Sequence, residues 1–276
     1  MKISNWMKIA IQRLARSENP KRDAEILLGF VTGRSRSWLI GFDDSVLSPC
    51  ILTKLEQFLV RRSSGEPIAY LTKEREFWSL PLHITSDVMI PRQDSEILVE
   101  KALIHLPVKG CHILDLGSGS GAIALAIASE RANCSVLGID CMSSAVRLAT
   151  YNASKLGLKN TAFILGRWFS TAGDQKFAII VSNPPYMCGS DQHLLEGDLR
   201  FEPKHALVSG DNGLSDIKLI IAESGKHLIP GGWLLLEHGW KQASIIRNIM
   251  NKNQFREIST FQDYSGNDRV TLGRYL

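Results

Sequence analysis

The sequence predicts an α/β protein in which a mostly parallel sheet is covered by helices on both faces. From Cys111 onward, short apolar segments alternate with helical patterns, as they do in repeated strand–helix–strand units. The first of these segments leads directly into a glycine-rich loop and then a helix, a common start for the ligand site of such folds. The last two apolar segments have no helix between them, so we expect an antiparallel pair to close the sheet.

The composition is that of an ordinary globular protein. Of the 276 residues, 44% are hydrophobic and 22% are charged, and no uncharged apolar run is long enough for a membrane span. The first ten residues interrupt their apolar positions with lysines and lack a signal-peptide core. The cysteines are odd in number, widely spaced and never C-x-x-C, so we expect no disulfide framework, no zinc site and a cytoplasmic location. They are Cys50, Cys111, Cys134, Cys141 and Cys188.

The front of the chain predicts a small helical domain. Apolar residues recur there at helical spacing, and Asn19-Pro20, Gly33 and Ser48-Pro49 predict turns. Residues 1–75 hold 13 Lys and Arg against 8 Asp and Glu, a net charge of +5, whereas the remaining 201 residues hold 19 against 20, a net charge of −1. The basic excess is either a solvated helical surface or a face that meets an acidic partner such as a nucleoprotein.

The later elements follow from local patterns. Residues 77–90 carry β-forming residues broken by a proline, which predicts a hairpin or connector, and a helix is expected to begin near Asp94 or Ser95. We predict strands at 111–116, 135–140, 162–165, 177–182, 233–238, 255–260 and 269–276, and helices at about 121–131, 143–156, 215–228 and 240–251.

The glycine-rich loop D-L-G-S-G-S-G-A predicts a ligand site. Gly117, Gly119 and Gly121 allow a tight turn and let a ligand approach the backbone at the start of the next helix. Asp140 ends the second strand, 19 residues beyond Gly121. Nucleotide-binding α/β units place a carboxylate there to bind ribose hydroxyls.

The loop alone leaves its ligand open. The spacing from Gly117 to Ala122 also fits the relaxed dinucleotide fingerprint, and a tight turn without a ligand is a further alternative. No lysine follows the glycines, so the loop is not a Walker A site. Asp115 beside the loop would repel a pyrophosphate, but it suits a cofactor with sulfonium and ammonium groups, such as S-adenosylmethionine.

The segment F-A-I-I-V-S-N-P-P-Y, residues 177–186, predicts a buried strand that ends in a rigid polar corner. Loops after neighbouring strands of an open α/β sheet lie side by side, so we expect Asn183 to face the cofactor. The Asn183 side-chain oxygen and the Pro184 carbonyl can accept two N–H bonds from one planar NH₂ group. Proline fixes φ and holds these acceptors in place, while Tyr186 offers an aromatic wall. The corner therefore predicts an NH₂ acceptor whose lone pair is aimed at a methyl donor. A plain Pro-Pro stop after a strand is the alternative.

Motifs along nearly the whole chain resemble those of the PrmC/HemK family, the N5-glutamine methyltransferases of release factors. Single pieces are unspecific, but the ordered set is highly specific. The pieces are G-E-P-I-A-Y-L-T from Gly65, E-R-E-F-W-S-L-P-L from Glu74, I-P-R-Q-D-S-E from Ile90, I-L-D-L-G-S-G-S-G-A-I-A-L-A, G-R-W-F at 166–169, V-S-N-P-P-Y, F-E-P-K-H-A-L-V-S-G-D-N-G-L, L-E-H-G at 236–239 and G-N-D-R-V at 266–270.

The resemblance implies a fold and an activity. The expected architecture is a helical substrate-docking domain at 1–75, a β-hairpin linker at 76–92 and a seven-stranded class I S-adenosylmethionine methyltransferase domain at 93–276. The implied cofactor is S-adenosylmethionine, and the implied acceptor is the glutamine in the Gly-Gly-Gln loop of peptide chain release factors. We expect a monomer without metal, membrane or direct nucleic-acid substrate.

Matched positions in the family's motifs assign the site residues. The cofactor-binding residues are expected to be Gly117, Ser118, Gly119, Ser120, Gly121, Asp140, Trp168 and Asn183. The substrate-binding residues are expected to be Asn183, Pro184, Pro185 and Tyr186, of which Asn183, Pro184 and Tyr186 are the catalytic residues.

The chain departs from the family pattern at three positions. Gln93 replaces a proline, Ser95 replaces a threonine and Lys73 replaces a glycine. We interpret these changes as drift because the glycine loop and N-P-P-Y are intact. Arg92 lies near a helix start and is expected to be a surface residue rather than one that reaches the substrate loop. The pair Glu237-His238 is expected to be structural, since the mechanism needs no strong base.

Four other functions share parts of these motifs. The same corner serves N6-adenine or N4-cytosine methylation of nucleic acid, but the net charge of −1 on 76–276 disfavours that reading. Methylation of a ribosomal-protein glutamine would use identical catalytic motifs. A scaffold protein that lost activity is disfavoured by the intact motifs, and Asp115 disfavours a dinucleotide oxidoreductase.

Overall fold

The computed structural model describes residues 1–276, and the chain packs into two compact units. The first unit is Met1–Glu74 with Gln192–Phe201, and the second is Arg75–Asp191 with Glu202–Leu276. The sequence assigns 192–201 to the second domain, whereas in the structure this segment packs with the first unit. None of the helices combines the length and the apolar character needed to cross a bilayer.

The first unit is helical, as its apolar spacing predicts. Asn19 and Ser48 cap two of its helices by accepting backbone N–H bonds, and a proline follows each cap, where its missing N–H costs nothing. The helices enclose an apolar core that includes Trp6, Leu27 and Leu55. They are α1 (Ile3–Arg13), α2 (Pro20–Thr32), α3 (Arg36–Gly41), α4 (Pro49–Ser63) and α5 (Ile68–Thr72), with 3-10 turns at Gln192–Leu195 and Leu199–Phe201.

Arg62, near the end of α4, links the segment 192–201 to the helices of this unit through hydrogen bonds. Its Nε donates to Asp23 Oδ2 at 2.6 Å, and its Nη1 donates to Asp198 Oδ1 at 3.2 Å and to the Glu66 carbonyl at 3.0 Å. The Arg62 and Asp23 side chains are only 11% and 10% exposed. Two carboxylates from distant parts of the chain thus share one largely buried guanidinium, with Asp23 buried and Asp198 about one third exposed.

Two departures from the family pattern, Lys73 and Gln93, lie before and after the β-hairpin. Lys73 ends α5 in the left-handed region, at φ 57, which costs a side-chain-bearing residue about 1 kcal/mol and glycine almost nothing. The departure at Lys73 therefore adds local strain. Gln93 begins the 3-10 turn Gln93–Ser95, in which the Ser95 N–H donates to the Arg92 carbonyl just before α6.

The second unit contains a hairpin and a seven-stranded sheet. The hairpin strands meet at Trp78 and Ser79, both at positive φ, as a tight two-residue turn requires. The strands are β1 (Glu74–Phe77), β2 (Leu80–His83), β3 (His112–Leu116), β4 (Ser135–Asp140), β5 (Thr161–Leu165), β6 (Phe177–Ser182), β7 (Leu228–Glu237), β8 (Phe255–Gln262) and β9 (Asp268–Tyr275). The helices are α6 (Glu96–His105), α7 (Ala122–Glu130), α8 (Ser143–Leu156), α9 (Lys204–Leu207), the kinked turn α10 (Gly210–Gly213), α11 (Ser215–Ser224) and α12 (Ala243–Lys252).

The sheet order is β5-β4-β3-β6-β7-β9-β8, which confirms the predicted fold class. The first five strands pair in parallel, and β9 is antiparallel to both β7 and β8. The regular pairing of β7 with β6 begins at Trp233, as predicted, and Leu228 adds one earlier pair with Phe177. Residues 229–232 lie between the two pairs in a break of the register, with Gly231 at φ 79, so the turn that Pro230-Gly231-Gly232 indicates is present as a bulge.

The Arg62 cluster gives a stability prediction. Arg62→Ala should lower the opening free energy of α2 and α4 by about 3 kcal/mol, because it leaves Asp23 buried without its cation. Native-state hydrogen exchange on peptides from α2 and α4 measures that energy. Arg61→Ala is the matched control: Arg61 pairs with Glu66 but is 51% exposed, so its loss should cost less than about 1 kcal/mol. Equal effects of the two substitutions would contradict the role given to Arg62.

Candidate functional site

The register of β3 and β6 brings the glycine loop and the N-P-P-Y corner together. Leu116 at the end of β3 pairs with Ser182 at the end of β6, and the Ser182 hydroxyl donates to the Leu116 carbonyl at 2.7 Å. The chain after β3 crosses to β4 on one side, and β6 lies on the other side. This is the point of reversal at which open α/β sheets bind ligands.

The three glycines of the loop differ in what surrounds them. Gly117, Gly119 and Gly121 all lie at positive φ, which glycine adopts without strain. A β-carbon on Gly121 would come within 3.1 Å of Ala149 and Phe163, so this glycine lets α7 pack closely. A β-carbon on Gly119 would meet no protein atom within 4 Å, so it would project toward the open space that a ligand can use.

Asp140 joins the loop to the end of β4. Its Oδ2 accepts the Gly119 N–H at 2.8 Å, and its Oδ1 accepts the Met142 N–H at 2.9 Å. Each carboxylate oxygen has two acceptor positions, so both keep one for a ligand hydroxyl. The two N–H bonds fix the carboxylate plane before any ligand arrives.

A cavity of about 470 Å³ opens at this edge of the sheet. Pro184, Tyr186 and Gly121 are not among its lining residues, since Pro184 is buried and Gly121 packs against α8 and β5. The predicted residues that line the cavity are Gly117, Ser118, Gly119, Ser120, Asp140, Trp168, Asn183 and Pro185.

The Asn183 side chain is held from behind. Its Nδ2 donates to the buried Ser95 hydroxyl at 3.2 Å, so its Oδ1 is the end of the amide left to accept a bond from a ligand. Tyr186 donates its hydroxyl to Glu237 Oε1 at 3.4 Å, and its carbonyl accepts a bond from Gln242 Nε2 at 3.1 Å. The corner is therefore held at both ends by side chains from other elements.

Trp168 lines the cavity, and Asp216 holds it there. The tryptophan Nε1 donates to Asp216 Oδ1 at 3.1 Å, and the Ser209 hydroxyl donates to Asp216 Oδ2 at 2.6 Å. Trp168 lies at φ 52, an uncommon backbone conformation for a bulky residue. Sequence reasoning missed Asp216, although it lies just after the family-like S-G-D-N-G-L stretch.

Other lining residues come from elements that carried no site signal. Phe77, Val88 and Met89 belong to the hairpin and the segment after it, which were predicted only as a connector, and Ala145 lies on α8. Apolar side chains of this kind suit an aromatic base, but no local pattern distinguishes them from ordinary core residues.

Asp115 lies behind the loop rather than in the cavity. It is fully buried, and its Oδ2 accepts the Ala124 N–H at 3.2 Å near the start of α7, while Oδ1 has no partner. Burial raises the pKa of Asp115 to about 7, helped by the nearby charge of Asp140, and the Ala124 bond opposes the rise. Asp115 therefore does not line the cavity, and any influence that it has on a ligand acts through the loop.

The donor set fits the ribose of a nucleoside. Asp140 keeps free acceptor positions for hydroxyls, and the buried Ser118 hydroxyl, which lines the cavity, has no hydrogen-bond partner. The loop glycines leave room for backbone contact. No cluster of three or more His, Cys, Asp or Glu side chains is arranged to bind a metal ion.

His238 has a structural role, as expected, whereas Arg92, which the sequence places at the surface, is only partly exposed and pairs with a buried carboxylate. The Arg92 guanidinium pairs with the carboxylate of Glu202, whose side chain is fully buried, and Glu202 also accepts the Ile90 N–H. His238 Nε2 shares a hydrogen bond with Thr271 at 2.8 Å, and burial lowers the pKa of His238. Neither residue lines the cavity.

The raised pKa of Asp115 predicts a dependence of stability on pH. The folded state holds the Asp115 proton up to about pH 7, whereas the unfolded state releases it near pH 4. Its contribution to the free energy of unfolding is therefore present below about pH 4 and is lost as the pH rises to 7. Asp115→Asn should reduce the fall in unfolding free energy between pH 5 and 8 by about 2 kcal/mol.

Urea unfolding at the two pH values measures the change. Asp174→Asn, at an exposed loop position, is the control and should leave the fall unchanged. Identical pH dependence in the Asp115 variant and the parent would show that Asp115 is not held protonated.

Comparisons with known proteins agree with this geometry. A family profile described as PrmC N-terminal domain matches residues 5–72, and one described as methyltransferase domain matches residues 107–270. The release factor glutamine methyltransferase of Escherichia coli is 50% identical over 275 residues, covering 100% of this chain and 99% of that protein. The enzyme of the same name from Vibrio cholerae is 48% identical over 272 residues, covering 98% and 95%.

Solved structures support the fold. A methyltransferase from Pyrococcus furiosus matches with a TM-score of 0.54 and 17% identity, covering 80% of this chain and 98% of that chain. A 16S rRNA methyltransferase of T. thermophilus, in complex with AdoMet and guanosine, matches with a TM-score of 0.55 and 20% identity, covering 74% and 50%. These likenesses show the class I methyltransferase fold alone. Taken with the full-length similarity above, they leave a plain conclusion: the chain is a methyltransferase and belongs to the release factor glutamine methyltransferase family.

Proposed function

We propose that this protein uses S-adenosylmethionine to methylate the side-chain amide nitrogen, N5, of the glutamine in the Gly-Gly-Gln loop of peptide chain release factors. The observation that carries the proposal is that Asn183 lines the same cavity as the glycine loop and Asp140. Groups that can accept hydrogen bonds from an NH₂ group therefore lie beside a site that suits a nucleoside. The acceptor follows from the relatives, which are named for release factor glutamine methylation and match over their whole length.

The cofactor would be held mainly by groups that are already fixed. The free acceptor positions of Asp140 would bind the ribose hydroxyls, and the backbone around Gly119 would approach the cofactor closely. Trp168, anchored by Asp216, would form one wall. When bound, S-adenosylmethionine supplies an electrophilic methyl group on a sulfonium sulfur.

The corner would orient the glutamine. An amide nitrogen is a poor nucleophile because its lone pair is delocalised, so the site must hold its planar NH₂ group in one direction. Asn183 Oδ1 would accept one N–H bond, and the carbonyl of the buried Pro184, which does not line the open cavity, would accept the other once the glutamine enters the corner. Pro184 and Pro185 fix two φ angles in this corner, so little ordering is needed when the glutamine arrives.

Proton transfer need not precede methyl transfer. Transfer of the methyl group to the nitrogen would break the bond between methyl carbon and sulfur, and the nitrogen would then release one N–H proton to solvent. The catalytic gain is therefore mainly positional, and accurate alignment can contribute several kcal/mol, up to about 7–11 in favourable cases. This agrees with a site that presents acceptors rather than a strong base.

The first unit would dock the release factor. Residues 1–75 carry a net charge of +5, which favours an acidic or nucleic-acid-bound partner. The rest of the chain, at −1, lacks the basic excess expected of an enzyme that binds nucleic acid directly.

Mass spectrometry of purified release factor tests the acceptor. Incubation with the protein and S-adenosylmethionine should add one CH₂ unit to the Gly-Gly-Gln peptide, and Asn183→Ala should lower kcat/KM by about 10²-fold or more. Asn251→Ala, on the exposed face of α12, is the control and should leave the rate unchanged. If the parent protein binds the cofactor but leaves this peptide unmodified, the acceptor is wrong. Ribosomal-protein glutamines and then DNA would be the next acceptors to test.

A glycine pair tests the cofactor site. Gly119 and Gly157 both lie at positive φ, and a β-carbon on either would meet nothing within 4 Å. Alanine at each should therefore cost a similar stability, about 1 kcal/mol. Only Gly119 lines the cavity, so only Gly119→Ala should raise the Kd for S-adenosylmethionine, by about tenfold or more. Titration calorimetry measures both constants, and equal Kd values would place the cofactor elsewhere.

A further inference from the structure

Glu237 lies behind the corner, and the mechanism above does not use it. It ends β7, and only 2% of it is exposed. Its Oε1 accepts the Tyr186 hydroxyl at 3.4 Å, while its Oε2 is buried and has no hydrogen-bond partner. A buried carboxylate oxygen without a donor costs free energy, so its retention beside the corner calls for an explanation.

Ser95 lies between Glu237 and Asn183. It is 3% exposed, and its Oγ accepts the Asn183 Nδ2–H at 3.2 Å. The Ser95 hydroxyl proton has no acceptor, Glu237 Oε2 has no donor, and the nearness of the Ser95 hydroxyl lowers the pKa of that carboxyl. A hydroxyl can accept and donate at the same time, so Ser95 can accept from Asn183 while it donates to Glu237.

The direction of this chain of hydrogen bonds decides which end of the Asn183 amide faces the cavity. If the Ser95 proton were free, the hydroxyl could equally donate to Asn183 Oδ1, and the amide could turn its NH₂ group toward the cavity. That orientation would present donors to the glutamine NH₂ group, which is itself a donor. A carboxylate accepts and does not donate, so Glu237 can remove this ambiguity by taking the Ser95 proton.

We propose that Glu237 is the positioning residue of the N-P-P-Y corner: its carboxylate accepts the hydroxyl protons of Tyr186 and Ser95, and Ser95 accepts the Asn183 NH₂, so that Asn183 Oδ1 faces the cavity. The role in catalysis rests on the proposed function, whereas the orientation of the Asn183 amide does not. One buried acceptor thus fixes both ends of the corner.

The charges around Glu237 make this chain of hydrogen bonds sensitive to pH. Burial raises the pKa of Glu237 to about 7, and Asp94 adds to the rise, while Ser95, Arg269 and Tyr186 oppose it. Arg269 on β9 is itself paired with Asp263 at 2.9 Å. Above about pH 7 the carboxylate accepts both hydroxyl protons. Below it, the protonated carboxyl competes as a donor for Ser95.

Two readouts on a small set of variants test the proposal. The first is hydrogen exchange of the Asn183 side-chain amide, followed by NMR on nitrogen-15-labelled protein. The second is kcat at saturating release factor. Ser95→Ala and Glu237→Gln should each speed the exchange and lower kcat by on the order of tenfold. Ser95→Thr keeps the hydroxyl and should match the parent in both readouts.

A double variant and a pH profile separate positioning from a loss of packing. Ser95→Ala combined with Glu237→Gln should lose no more kcat than the worse single variant, because both break one chain of bonds. The parent kcat should rise with pH through about 7, and Glu237→Gln should flatten that rise. His238 is the neighbouring titratable group, and a rise that persists in Glu237→Gln would assign it to another group and contradict the proposal.

The outcomes separate this proposal from the proposed function. If the parent transfers no methyl group to release factor, the proposed function fails, and the amide exchange alone decides the orientation. The proposal is overturned if the Asn183 side-chain amide of Glu237→Gln exchanges hydrogen at the rate of the parent. It is also overturned if the parent is active and Glu237→Gln has the same kcat. If Ser95→Ala does not fold, Glu237→Gln and Ser95→Thr still decide between these results.

Discussion

The in-register parallel pairing of β3 with β6 is the constraint on which the site depends. Leu116 and Ser182 end these strands side by side, and the Ser182 hydroxyl closes the pair by donating to the Leu116 carbonyl. The glycine loop and the N-P-P-Y corner begin at the next residues. Since β6 is buried along its whole length, a slip of one residue would reverse its side chains and separate the two halves of the site.

Several polar groups around this edge are buried at a cost in stability. Asp115 keeps one carboxylate oxygen without a partner, as Glu237 does, and burial raises the pKa of both groups to about 7. The two carboxyls lie behind the two segments that need a fixed shape, the glycine loop and the corner. Buried groups of this kind are expected where orientation matters more than stability.

The sequence predicted the fold class because local and tertiary signals agree over most of the second unit. The strand 177–182 and the helix 143–156 appear as predicted. The regular part of β7 begins at Trp233 as predicted, and only the extra pair of Leu228 with Phe177, beyond the bulge at 229–232, leaves no local signal. The packing of 192–201 with the first unit was also missed, since it depends on the contact between Arg62 and Asp198, 136 residues apart.

The site was predicted where backbone geometry carries the information, and less well where side chains act at a distance. Positive φ at Gly117, Gly119 and Gly121 requires glycine, so those residues leave a direct signal. Asp216 holds Trp168 and also lines the cavity, and Glu237 accepts the Tyr186 hydroxyl behind the corner. Acidic residues at such positions look like ordinary helix or strand ends. A sequence likewise does not show that Asp115 lies buried behind the loop rather than in the cavity.

The central claim is that Asn183 presents its side-chain oxygen to an amide beside the cofactor. A crystal structure with S-adenosylhomocysteine and a Gly-Gly-Gln peptide tests it most directly. The glutamine nitrogen should lie within about 3.2 Å of both Asn183 Oδ1 and the Pro184 carbonyl, and Asn183 Nδ2 should still be bonded to Ser95. A glutamine bound away from the corner, or an Asn183 amide with its nitrogen toward the peptide, would contradict it.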